Sequence, residues 1–357
     1  MLKHIYHKAV AFLFGSNKLS RPVLILLLFL IPVDLLIFST KPSPNDELYR
    51  KEFVNNNKTY SVIIPHNLHF AGEKVPLYDF TVMESLEREF IVNTYFHSQT
   101  ILMHKRANRW LPLIAAILKK NKVPDDFKYI PLIESNLSQA ISPKGATGFW
   151  QFVNSAAKQY GLVVNEEIDE RYSIEKSTEA ACRYFLDAYK QLGSWTLAAA
   201  SYNMGIDGLK NQLEKQKTNS YYDLALNEET SRYIFRLLAV KEVISNPQNY
   251  GYQLRKKDLY PTIPTEKIYI DSSITDLALF AQQKKISYKI FKYFNSWLRK
   301  NSLTNPENQT YTLLIPHPDF NEEYLSFLSS SDSLGVKPMI SLQDTMATLS
   351  ADSLNSQ

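Results

Sequence analysis

Between residues 83 and 250 apolar side chains recur at the spacing of helix turns, and this period constrains the fold more than any other feature. Met83 to Tyr95 opens the pattern. From Arg106 to Lys120, Leu111, Leu113, Ile114, Ile117 and Leu118 return at helical intervals. Asp125 is placed to cap a helix running through Phe127, Ile130 and Ile133 to Glu134, with Pro131 kinking it. Further helices are expected near 150–159, 175–191, 195–203 and 229–245. In the second of these, Ala181, Tyr184, Phe185, Ala188 and Leu192 make one apolar face. Only 10 Gly in 357 residues argues against Gly-rich phosphate loops and repeated tight hairpins. The expected class is therefore mainly α.

The flanking composition differs. Residues 41–82 begin with a polar stretch, KPSPNDELYRKEFVNNNKTY, that reads as a linker, followed by SVIIP (61–65), which suits a short strand or an extended arm. Beyond 250, KIYI (267–270) and YTLLI (311–315) look like strands flanking two short helices, 274–285 and 288–295. Residues 251–318 thus form a small α+β module of βααβ order. The Ser- and Asp-rich stretch 319–357 reads as a flexible tail.

Residues 1–40 carry Lys3, Lys8, Lys18 and Arg21 against Asp34, ahead of and within the apolar run VLILLLFLIPVDLLIF (23–38). The pattern suits a secretory signal or a single membrane span with its N-terminus in the cytoplasm. Absence of a small-x-small site after the run favours an uncleaved anchor; Pro32, Asp34 and the shortness of the run count against a robust span. Either way the rest is exported to the cell envelope. Once this segment is set aside, 36 basic face 35 acidic side chains, which excludes a polybasic nucleic-acid surface. The single cysteine, Cys182, rules out an internal disulfide and a Cys-based zinc site. The seven His show no metal-ligand spacing, and neither metal nor cofactor is expected.

One constellation stands out: Glu134-Ser135-Asn136, then SPKGATGFWQF (142–152), then Ala200-Ser201-Tyr202-Asn203. Glu134 closes an apolar stretch, Tyr129 to Ile133, at a helix end. A carboxyl in such surroundings has its neutral form favoured and can deliver a proton near neutral pH. Gly145 and Gly148 allow a loop to approach closely. Gln151, Tyr202 and Asn203 are neutral hydrogen-bonding groups of the kind that bind sugar hydroxyls and acetamides. Duller roles exist for each: Tyr202 and Trp150 also suit a core, Gln151 and Asn203 a cap or turn, and Glu229 the first turn of a helix.

Glu134-Ser135, Gly148-Phe149-Trp150-Gln151 and Ser201-Tyr202-Asn203 resemble the ES, GLMQ and AYN motifs of lytic transglycosylases of the soluble-transglycosylase-like family. Glu229-Thr230-Ser231-Arg232-Tyr233 is similar to a fourth motif, ETxxY, of the membrane-bound murein transglycosylase D type. The resemblance covers about residues 65–245, with Trp150 replacing the usual Met and Ser201 the usual Ala. It implies a lysozyme-like helical catalytic domain over 83–250 that acts on the glycan strands of peptidoglycan. Glu134 is the implied general acid and base, Ser135 its orienting neighbour, and Gln151, Tyr202, Asn203, Trp150, Glu229 and Tyr233 the substrate-binding set. The module resembles a divergent LysM domain through Ile274-Thr275-Asp276-Leu277-Ala278 and the run 288–298, which implies binding to N-acetylglucosamine-containing glycan.

A hydrolase needs a second carboxylate across the scissile bond. The nearest candidates in the sequence, Glu166, Glu167, Asp169 and Glu170, lie in a polar stretch. The expected reaction is therefore cleavage of the bond from N-acetylmuramic acid to N-acetylglucosamine by the substrate's own C6 hydroxyl, leaving a 1,6-anhydro end. A goose-type muramidase and a non-catalytic wall-binding scaffold are the alternatives.

Overall fold

The computed structural model of the protein describes residues 44–55, 60–317 and 319–329. The expected membrane segment, 1–40, and most of the expected tail lie outside the described residues. Among those described, no helix is long and apolar enough to cross a membrane. Residues up to Tyr60 and from Ser61 onward form two separate units. In the first, helix α1 (Pro44–Asn55) occupies the stretch expected as a linker; Asp46 and Glu47 in its first turn complement the helix N-terminus.

In the second unit, β1 (His69–Phe70) and β2 (Glu73–Lys74) pair antiparallel around Ala71 and Gly72, both at positive φ (50° and 83°). The left-handed Ala71 is held by its N–H, which donates to Asp126 Oδ2 at 2.7 Å. Of the two forms expected for SVIIP, the strand is absent and the extended arm is present. Val62 and Ile64 lean on the helical core while Ile63 is exposed, so the segment is an extended strap. Leu68, Phe70 and Val75 are buried in that same core. The core of the helical part therefore takes in side chains from before residue 83.

It comprises α2 (Phe80–Tyr95), α3 (His97–Lys120), a 3-10 turn (Asp125–Tyr129), α4 (Ile130–Ser135), α5 (Asn154–Gln159), α6 (Ile174–Leu192), α7 (Trp195–Met204), α8 (Ile206–Gln216) and α9 (Glu228–Ser245). The kinked helix expected from Asp125 to Glu134 is two pieces. Pro131 lies in the first turn of α4, where its missing N–H leaves no helix bond broken. α9 buries Ile234, Phe235, Leu237, Leu238, Ala239 and Val240 around most of its circumference, as a central helix must. It packs against α2, α4 and α7.

Glu73 fixes α7 from a distance. It accepts from Ser194 Oγ (2.8 Å), Trp195 N (2.6 Å) and Thr196 N (2.9 Å), adding to the local cap in which Ser194 Oγ accepts from Leu197 N–H (3.3 Å). Burial pushes its pKa up, but the hydrogen bonds from Thr196, Ser194 and Trp195 outweigh it and leave the pKa lowered. A lowered carboxylate contributes stability above its unfolded pKa and loses it on acidification. Glu73→Ala should cost about 1–2 kcal/mol at neutral pH, and the gap to wild type should narrow below about pH 4, as read by denaturant melts. A gap independent of pH would remove the charge from this account.

After α9, the stretch 251–264 runs along α3. Asn108 and Arg109 donate to the carbonyls of Tyr260 and Pro261 (2.9 Å each), and Lys105 to that of Asp258. The module follows: β3 (Thr265–Ile270), α10 (Leu277–Gln283), α11 (Tyr288–Phe294) and β4 (Tyr311–Pro316), in the βααβ order expected. β3 and β4 pair antiparallel from Thr265–Pro316 to Ile270–Tyr311. Asn295 is fully buried and acts like a short piece of strand: Nδ2 donates to Leu314 O and Oδ1 accepts from Leu314 N–H, 2.8 Å each. A last helix, α12 (Phe320–Ser329), lies in the stretch expected as tail. The chain is thus mainly helical with a small strand-bearing module.

Candidate active site

Glu134 is the penultimate residue of α4, with buried Ile130, Leu132 and Ile133 beneath it and Asn136 ending the helix at φ 53°. Its Oε1 accepts a 2.6 Å hydrogen bond from Tyr233 Oη on α9. The carboxyl is pushed up to about 7. Burial is the main cause, opposed by the Tyr233 bond and the positive charge of Arg236, and assisted by the negative charge of Glu229. α4 has only six residues, so burial rather than a helix dipole makes this acid weak.

The motif segments are joined in a closed circuit around that acid. Ser135 Oγ lies 2.8 Å from Phe149 O and 3.1 Å from Pro131 O. A hydroxyl carries one proton, and the shorter contact ties α4 to the 145–152 loop. Tyr202 Oη donates to Trp150 O (2.7 Å), joining the loop to α7. Asn203 Nδ2 donates to Glu229 Oε1 (3.2 Å), and Thr230 Oγ1 donates to Asn203 Oδ1 (2.8 Å), joining α7 to α9. Tyr233 on α9 closes the circuit on Glu134.

Several expected sugar contacts turn out to be parts of this frame. Trp150 is not at the cleft surface: it is 0% exposed, packs on Phe185, and gives its indole N–H to Thr178 Oγ1 at 2.9 Å. An indole buried this deeply needs a partner for its N–H, and the Thr178 hydroxyl serves. Gln151 sits at φ 51° and spends its amide N–H groups on Ala140 O (3.0 Å) and Gly148 O (2.7 Å). Tyr202 commits its proton to the loop backbone, with its ring among Tyr184, Phe185 and Phe152. Its pKa is raised well above the ordinary value by burial and then by the charge of Glu134. Asn203 is engaged on both ends of its amide. Glu229 is exposed and sits within electrostatic reach of the acid.

Tyr233 was legible only as a motif position; its contact with the acid was not. Arg236 carried no signal beyond its place one turn after Tyr233. Among the described residues Arg236 has no hydrogen bond or ion pair, and its charge acts on Glu134 and Tyr233. Of the four carboxylates considered as second acids, Asp169 is paired to Arg171 (2.7 Å) and Glu170 to Lys176 (2.9 Å). Glu166 pairs with Lys300, and Glu167 accepts from Ser302 and Thr304. None of these contacts involves Glu134. No group of His, Cys, Asp and Glu that could hold a metal ion occurs among the described residues.

The geometry presents one weak carboxylic acid framed by hydrogen-bonding residues, and sequence comparison adds the domain in which it lies. Residues 112–225 match the transglycosylase SLT domain, and residues 266–319 match the soluble lytic transglycosylase C-terminal LysM-like domain. The chain therefore carries an SLT transglycosylase domain followed by a LysM-like C-terminal domain. It is 26% identical over 251 residues to membrane-bound lytic murein transglycosylase D of Escherichia coli K12, a match covering 69% of this chain and 54% of that protein. It is also 30% identical over 141 residues to a putative tributyltin chloride resistance protein of Alteromonas sp. M-1, covering 35% of this chain and 68% of the relative. The chain thus spans about half the length of the first of these relatives.

Proposed function

We propose that this protein is a peptidoglycan lytic transglycosylase whose helical part is lysozyme-like and whose single general acid and base is Glu134. The observation that carries the reading is the carboxyl pushed up to about 7, which lets one group donate and then accept a proton near neutral pH. Glu134 protonates the glycosidic oxygen between N-acetylmuramic acid and N-acetylglucosamine, and that bond breaks. Positive charge develops at C1 and is shared by the ring oxygen or the sugar's own acetamide. Ionised Glu134, held by Tyr233 and faced by Arg236, then takes the proton of the C6 hydroxyl as that oxygen bonds to C1. The product is a 1,6-anhydro sugar and no water is consumed. The exported topology read from residues 1–40 and the name of the Escherichia coli relative support placement at the membrane, on the periplasmic side.

One observation favours a second reading. Glu229 is a further carboxylate close enough to act on Glu134, and a second carboxylate is what a muramidase uses. Digestion of purified peptidoglycan by the full chain, with muropeptides read by mass spectrometry, separates the two. Products lighter by about 18 Da than the hydrolytic ones mark the internal attack, whereas reducing ends would establish the hydrolase.

The pH profile probes the acid's neighbours. Tyr233 and Arg236 both hold the Glu134 pKa down, and Glu229 holds it up. The form needed for donation is protonated, so kcat/KM should fall as pH rises through about 7. Tyr233→Phe and Arg236→Met should move that alkaline limb to higher pH, and Glu229→Gln to lower pH. A limb that stays fixed in all three variants would assign it to another group.

A further inference from the structure

The βααβ module was expected to act as a tether to polymer, yet its contacts lead into the site. Ile168 and Tyr172, both from the helical part, are buried in the module's core with Leu277, Phe291, Leu298 and Leu313. Ile168 bridges Leu298 as a strand pair would. On either side of that bridge, Asp169 N–H donates to Trp297 O (2.8 Å) and Arg299 N–H to Glu167 O (2.7 Å). The Arg299 guanidinium lies 4.0 Å from the Tyr172 ring centre. Ser296 Oγ donates to Tyr172 O (3.2 Å), and Gln139 Nε2 reaches both the same carbonyl (2.9 Å) and Ser296 Oγ (3.2 Å).

The segment held in this way grips the loop behind the acid. Asp169 pairs with Arg171 through two oxygens, Oδ1 to Nε at 2.9 Å and Oδ2 to Nη2 at 2.7 Å. So oriented, Arg171 Nη1 donates to Gly145 O (3.0 Å) and Phe152 O (3.2 Å), at the two ends of the loop. Between them, Gly148 packs so closely on the Arg171 carbonyl that a Cβ would stand 2.1 Å from its oxygen. The next carbonyl along, that of Phe149, receives the Ser135 hydroxyl beside Glu134. The bonds run without a gap from module to acid.

We infer that the module is a positioning part of the active site: its 297–299 stretch holds the 167–172 segment, which sets the loop that orients Glu134. This rests on the catalytic reading above and adds to it a role for the module that does not require glycan binding. Placement errors of about 1 Å are enough to cost on the order of 10²-fold in rate, so loosening the brace should appear in kcat. A tether instead raises the local concentration of polymer, which matters for intact wall and not for a short soluble strand.

The test uses the full chain with Ile168→Ala and Arg299→Ala, singly and together. Turnover is measured on intact sacculi and on short soluble glycan strands, with cosedimentation on sacculi and amide hydrogen exchange alongside. On the short strands kcat should drop about tenfold or more in the double variant, with KM changed by less than about twofold and sedimentation unaltered. Exchange should quicken at Thr147, Gly148 and Gln151, whose N–H groups close the loop, and not in α9. Unchanged kcat on short strands with a loss confined to sacculi would overturn the brace in favour of a tether. Exchange quickened throughout the helical part would overturn it as general destabilisation. If wild type cleaves neither substrate, the catalytic reading fails; the exchange pattern then still decides whether the module sets the loop.

Discussion

Glu134→Gln is expected to abolish turnover while making the folded protein more stable at pH 8. On the proposed mechanism, the catalytic loss follows from removing the group that both gives and takes the proton. A positioned acid or base contributes roughly 10²–10⁴-fold, and in the proposed mechanism this one serves in both halves of the reaction. The gain in stability follows from the raised pKa. Folded Glu134 releases its proton near 7, against an ordinary value of 4.5, so between these values the folded state binds more protons than the unfolded chain. Stability therefore falls as pH rises through that window. Below about pH 4.5 the acid is largely neutral in both states and no penalty exists; above about 7 the penalty is complete. At ~1.4 kcal/mol per tenfold change in proton affinity, it is on the order of 3 kcal/mol as an upper figure. Glutamine keeps an oxygen to accept from Tyr233 and has no charge to bury. Melting wild type and variant at pH 4 and pH 8 should give curves that nearly coincide at the lower pH and separate at the higher one. Coincidence at both would mean that Glu134 titrates normally and cannot be the donor at neutral pH.

The frame of the site was more legible in the sequence than the uses of its residues. The helical period located α2, α6, α7 and α9 to within a few residues of their observed bounds, because long amphipathic patterns leave little choice, and it found the end of α3 but not its start at His97. The short α8 escaped, since Leu209 is its only buried residue and one buried position makes no period. At the arm the pattern left strand and extended chain both open, because Leu68, Phe70 and Val75 enter the core singly, from an irregular strap. Within the site, Glu134 stood out because an acid closing an apolar run is an anomaly that needs an account. Trp150, Gln151 and Asn203 have the composition of a sugar-binding surface, but composition does not reveal which way a side chain turns. Trp150 turns into the core to meet Thr178, and Gln151 turns back onto its own loop. Asn203 instead spans two helices to reach Glu229 and Thr230. The bonds of Trp150 and Asn203 join residues that only the folded chain brings together, and the left-handed turn that folds Gln151 back leaves no period to read.

The same loop gives the second large expected effect. Gly148→Ala should reduce turnover on the order of 10²-fold and also lower stability. Two features of the position act together. The backbone is at φ 81°, where a side chain is strained, and an added Cβ would meet the Arg171 carbonyl oxygen at 2.1 Å and its carbon at 2.9 Å. These are backbone atoms, so no rotamer change relieves the contact. Ordinary separation requires a shift of about 1 Å by one of the two segments, the scale on which catalytic placement fails. If the loop yields, Phe149 O moves away from Ser135 and Trp150 O from Tyr202, opening the circuit on two sides of Glu134. If the 167–172 segment yields, it strains the Ile168–Leu298 bridge and the Arg171 grip instead. The stability cost should be about 1–3 kcal/mol, as for other overpacked sites. Gly145→Ala is the informative control: it shares the positive φ (76°) but has nothing within 4 Å of its would-be Cβ. It should lose about 1–2 kcal/mol and keep most of its activity. Equal loss of activity in the two variants would show that backbone strain, rather than contact with the braced segment, makes the loop sensitive.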